Sequence, residues 1–95
     1  MSVMRVFVFE TSEPRAKMMK HWRDGEHVYK KAERDGILKN YRLVETSDRW
    51  MAVTEFDTKA KLNKFVKAVA EQRKTVLGDT GGQGWAYEGT VRGSN

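Results

Sequence analysis

Apolar and polar side chains alternate along this chain in two rhythms, a period of two in four segments and a helical period in two others. From Val3 to Glu10, Met4, Val6 and Val8 alternate with Phe7 and Phe9, and the richness in Val and Phe predicts a strand. Thr11-Ser12-Glu13-Pro14 then supplies helix-start signals: capping hydroxyls, an acid and a proline near the first turn. From Arg15 to about Asp35, Met18, Trp22, Tyr29 and Ala32 recur at helical spacing with Val28 beside them, and Gly36 suits a C-terminal cap. A second strand is predicted over Asn40 to Glu45, a tight connection at Thr46-Ser47-Asp48, and a third strand over Arg49 to Phe56. Asp57 or Thr58 can cap a second helix with the stripe Leu62, Phe65, Val66, Val69, Arg73 and Val76. Gly78-Asp79-Thr80-Gly81-Gly82-Gln83-Gly84 reads as a loop, and Trp85 to Val91 alternates again as a fourth strand.

The resulting order is β-α-β-β-α-β. Right-handed crossovers then leave one economical arrangement, an α+β ferredoxin-like sandwich: a four-stranded antiparallel sheet with two helices on one face, a single domain over 1–95. The first and third strands carry large apolar side chains on both faces, since Trp50, Ala52 and Phe56 also alternate with Met51 and Val53. One helix layer covers one face, so the other needs a second cover. In a chain of 95 residues, that cover is expected to be another copy of the chain, packed sheet to sheet as a homodimer.

Composition removes several chemistries. The chain has no cysteine, which excludes disulfides, thiolate metal sites, iron–sulfur clusters and cysteine nucleophiles, and suits a reducing cytoplasm. The first apolar run is broken at Glu10, too short for a membrane span and without a secretory cleavage pattern, so a soluble cytoplasmic protein is expected. The net charge of +5 gathers on the second helix, where Lys59, Lys61, Lys64, Lys67, Arg73 and Lys74 face one acid, Glu71. A solvated lysine-rich surface explains this, with an acidic partner as the alternative.

The stretch Trp22-Arg23-Asp24-Gly25-Glu26-His27, followed by Asp35-Gly36-Ile37-Leu38-Lys39-Asn40-Tyr41, resembles the end of the first helix and entry to the second strand in EthD-like chains. Together with the two-faced apolar sheet, it makes the chain similar to the dimeric α+β barrel superfamily. Its members include small cofactor-free monooxygenases of the antibiotic-biosynthesis type and polyketide cyclases. The resemblance implies two protomers joined sheet to sheet, a pocket between sheet and helices in each, no bound metal or flavin, and His27 as the histidine of the site. Here His27 lies five residues after Trp22 rather than four. An unbroken helix would turn it by a further 100° or so, away from the Met18, Trp22 and Tyr29 stripe, unless a break or π-bulge at Gly25 brings it back.

His21 sits at the margin of that stripe, and either histidine could take a proton near neutral pH or simply be surface. Trp22, Tyr41, Trp50, Trp85 and Tyr87 could wall a flat aromatic ligand or serve ordinary core and dimer packing. Arg5, flanked by Val and Phe in a strand, could hold an anionic or enolate oxygen, or pair with Glu45, Glu55 or Glu88. Two histidines six apart do not share a helix face, and no carboxylate stands at ligand spacing there, so no metal site is expected. The leading expectation is cofactor-free oxygenation, cyclisation or isomerisation of a hydrophobic aromatic or polyketide-like compound. The rival is a ligand-binding, structural or regulatory dimer without a reaction. An RNA-recognition module shares the strand order, but its central stacking positions fall here on Met51 and Val53, which disfavours nucleic acid.

Overall fold

A computed structural model describes residues 2–80 and 83–93, with side chains for 2–70 and 83–93. The elements are β1 (Val3–Glu10), α1 (Arg15–Arg34), β2 (Asn40–Glu45), β3 (Trp50–Phe56), α2 (Lys59–Thr80) and β4 (Gln83–Thr90). The strands form one antiparallel sheet in the order β2-β3-β1-β4. This is the expected ferredoxin-like α+β fold.

Register sorts the side chains. Val3, Arg5, Phe7 and Phe9 stand opposite Phe56, Thr54, Ala52 and Trp50, and β2 adds Tyr41 and Leu43 to the same face. That face lies under the helices. Ala32 and Leu38 meet Phe56, Leu62, Phe65 and Val69 in one cluster, while Phe9, Met18 and Trp50 make a second. Phe56 and Leu62 are fully buried. The opposite face carries Met4, Val6 and Val8 beside Met51, Val53, Trp85 and Tyr87, with Val44 on β2. Among the described residues no element packs over it; Val8 is buried within the sheet face itself, while Tyr87 is 61% exposed.

The helix ends follow from local chemistry. α1 closes in a Schellman turn: Ile37 N–H donates to Ala32 O at 2.9 Å and Gly36 N–H to Glu33 O at 3.2 Å, with Gly36 at φ +74°. The Thr58 hydroxyl accepts from the Lys61 N–H at 3.2 Å and so caps α2. At the start of α1 the expected hydroxyl cap is replaced: Pro14 occupies the cap without a side-chain bond, and Thr11 instead accepts from the Glu13 N–H at 3.1 Å.

The glycine-rich loop is shorter than the sequence suggests. α2 runs through Gly78 and Asp79 to Thr80, β4 begins at Gln83, and 81–82 lie outside the described residues. A glycine inside a helix costs only about 1 kcal/mol, which neighbouring hydrogen bonds offset. Gly84 belongs to the strand for a different reason: a Cβ there would lie 2.5 Å from Phe7 Cζ. Its missing side chain makes room for the Phe7 ring.

Candidate functional site

Between α1 and the edge strand β2 lies a cleft of about 510 Å³. Arg15, Met19 and Trp22 line it from α1, Tyr41 to Glu45 from β2, and Trp50 from β3. Helical phase creates the first wall: Arg15, Met19, Trp22 and Glu26 are spaced four, three and four residues apart, so they share one flank of α1. The strand period creates the second, by turning Tyr41, Leu43 and Glu45 toward that flank. Volumes of this size accommodate small organic molecules.

Trp22, Tyr41 and Trp50 are the aromatic part of a lining that also holds Arg15, Arg42 and Glu45, and a ring series runs inward from it. Trp22 packs against Tyr29 with centroids 4.8 Å apart and against Tyr41 at 6.1 Å, and Tyr29 continues the series to Phe65 at 5.2 Å. The Tyr41 hydroxyl donates to Glu26 Oε2 at 2.9 Å. Burial, then the Glu26 hydrogen bond and charge and the Glu33 charge, push the Tyr41 hydroxyl above the ordinary tyrosine range. It therefore stays protonated at neutral pH. Arg15 Nε donates to Glu45 Oε1 at 2.9 Å, an exposed pair on the cleft lining.

The candidate residues separate into three places. Trp22, Tyr41 and Trp50 come together in the cleft. Trp85 and Tyr87 sit on the uncovered sheet face, with the Arg49 guanidinium 5.2 Å from the Trp85 ring centroid. Arg5 is buried under the helices and pairs with Glu88, Nε to Oε2 at 3.5 Å, as one of its expected partners. Lys59 also bonds Glu88. The Lys59 hydrogen bond first, then the Lys59 and Arg5 charges, hold the Glu88 carboxyl below the usual range against the opposing effect of burial.

The histidines part company. α1 is an unbroken α-helix through Gly25, and His27 is exposed, its Nδ1 3.1 Å from the Asp24 carbonyl oxygen. The hundred-degree rotation therefore stands, and His27 faces away from the cleft. His21 is half-buried on the opposite flank of α1 from Met19 and Glu26, and its buried Nε2 has no hydrogen-bond partner among the described residues. Met19, Arg15, Leu43, Glu45 and Glu26 escaped the sequence reading. The four-three-four spacing that brings Arg15, Met19 and Glu26 alongside Trp22 was the available signal. Among the described residues no cluster of His, Asp and Glu could hold a metal ion, and no helix is long and apolar enough to cross a membrane.

No protein-family model matches the chain, and no curated protein is similar to it in sequence. Solved structures are similar in fold. SnoaB, a cofactor-independent oxygenase from Streptomyces nogalater, superposes with a TM-score of 0.77 at 10% identity, over 98% of this chain and 95% of its own. A dimeric ferredoxin-like protein from an uncultured marine organism gives 0.78 at 14% identity, over 99% and 90%. A candidate antibiotic biosynthesis monooxygenase from Deinococcus radiodurans gives 0.74 at 9% identity, over 100% and 96%. At these identities the likeness is one of fold, and the fold is the ferredoxin-like one expected from the residues.

Proposed function

We propose that the chain is a homodimeric α+β barrel protein that binds a flat, hydrophobic aromatic compound, polyketide-like in shape, in the cleft between α1 and β2. The observation that carries this reading is the convergence of Trp22, Tyr41 and Trp50 on one cleft of about 510 Å³. Rings that present an apolar face and a polar tip suit a planar ligand. The uncovered sheet face supports the dimer, and the dimeric ferredoxin-like neighbour agrees with it. Binding is the core of the proposal because no histidine lines the cleft.

A second reading adds a reaction. The unpartnered Nε2 of His21 favours it, because a buried polar atom left without a partner costs about 1–3 kcal/mol and calls for a substrate or water. His21 would then serve as the base in cofactor-independent oxygenation, cyclisation or isomerisation of a substrate held on its own flank of α1 rather than in the cleft, the first being the activity of SnoaB.

A thermal-shift screen with tricyclic aromatic ketones tests the first reading. Ligands should raise the melting temperature of the wild type and of His27→Ala, and lose that effect in Trp22→Ala. A panel that shifts none of them contradicts it. The second reading requires turnover of a ketone that His21→Ala abolishes and Trp22→Ala leaves in place.

A further inference from the structure

The hydrogen bond between Tyr41 and Glu26 has a consequence for what the cleft accepts. Tyrosine carries one hydroxyl hydrogen, and here it points at Glu26 Oε2, 2.9 Å away. Glu26 makes no other hydrogen bond or ion pair among the described residues, so its carboxylate serves this hydroxyl alone. The hydroxyl donates and the Glu26 oxygen accepts, which fixes the direction of the bond. The Tyr41 oxygen keeps its lone pairs and has no hydrogen left to give.

We infer that Glu26 is a positioning residue that makes Tyr41 an acceptor, so that the cleft selects flat aromatic compounds bearing a hydrogen-bond donor, a hydroxyl or an amine, over the same ring carrying an ether. The inference rests on the cleft being the ligand site. The geometry explains why Glu26 rather than His27 holds this place. Glu26 follows Trp22 by four residues and shares its flank of α1, whereas His27, one residue on, is turned toward solvent. A ligand oxygen with only lone pairs would meet the Tyr41 oxygen unpaired, and an unpaired buried acceptor is disfavoured.

The test uses naphthol and its methyl ether, titrated by calorimetry into the wild-type chain, Tyr41→Phe, Glu26→Met and Trp22→Ala. The wild type should prefer naphthol by about fivefold, the worth of one net hydrogen bond. Tyr41→Phe should bring the two affinities together by removing the acceptor. Glu26→Met should also bring them together, because it removes the acceptor and leaves the phenolic hydrogen free to turn toward the ligand. Both variants retain the shape of the parent side chain, and an affinity ratio is insensitive to a general loss of stability. A fivefold preference that survives in either variant overturns the inference. Equal affinity of both compounds for the wild type, lost together in Trp22→Ala, overturns it while leaving the cleft reading intact. Binding of neither compound to the wild type overturns both.

Discussion

Phe56 and Val53 lie three residues apart on β3 and live in different surroundings. Phe56 is fully buried beneath Ala32, Leu62 and Phe65, whereas Val53 stands on the opposite face beside Val6, only part-buried. The two faces are alike in composition, each with Val or Phe on β1 and large apolar side chains on β3. They differ in cover. A helix pair supplies it for one face, and among the described residues nothing supplies it for the other. In the proposed homodimer this apolar face is the interface, and its residues are expected to tolerate truncation better than those of the helical core as long as association is preserved.

The strongest way to break the comparison is to cut into each face in turn. Phe56→Ala should lower the unfolding free energy in urea by about 3–5 kcal/mol, because it leaves a cavity under both helices. Val6→Asp, on the uncovered face, should leave the far-ultraviolet dichroism of the fold in place and weaken self-association by about 3 kcal/mol, more than a hundredfold in dissociation constant. If Val6→Asp unfolds the chain as Phe56→Ala does, the two faces are not the separate structures described here. Gly84→Ala comes next, at about 2 kcal/mol, since its methyl group would collide with the Phe7 ring on the covered face. An unchanged urea midpoint would mean that β4 can shift away from Phe7.

The smallest effect is electrostatic and sharpens the contrast between the faces. Glu55 lies on the uncovered side and Glu88 on the covered side, and both carboxyls are held below the ordinary glutamate value. The Asn40 hydrogen bond is the leading cause for Glu55 and the Lys59 hydrogen bond for Glu88. A carboxyl depressed in the folded state releases its proton more readily there than in the unfolded chain. Its stabilisation is therefore complete above about pH 4.5 and fades as the pH falls through the folded value. Both groups keep access to water, so each contribution should stay below about 1 kcal/mol. Urea midpoints between pH 7 and pH 3 should converge with those of Glu55→Gln and Glu88→Gln at the acid end. Curves that stay parallel throughout would contradict the assignment.

Much of the fold was legible because its signals are local and periodic. The two-residue alternation placed β1 and β2 at their observed limits and β3 within one residue, and the α1 stripe and Gly36 located the first helix and its end. What failed was glycine. Gly78 sits within α2 and Gly84 within β4, because tertiary packing, here the Phe7 ring, decides whether a glycine bends the chain or makes room for a neighbour. The cleft was half legible. Residue type alone points to Trp22, Tyr41 and Trp50 but equally to Trp85 and Tyr87, which the opposite phase of β4 sends to the other face. Glu26 was hidden behind His27, because a histidine attracts functional attention and a glutamate on a charged helix does not. Helical phase separates the two residues by about 100° and places the glutamate beside Tyr41.

Sedimentation equilibrium of the intact chain at micromolar concentration tests most directly whether the uncovered face is an interface. The account predicts a species of about 22 kDa, twice the 11.0 kDa of the chain, shifting to the monomer mass in Val6→Asp. A folded wild-type species of 11.0 kDa under those conditions would contradict it.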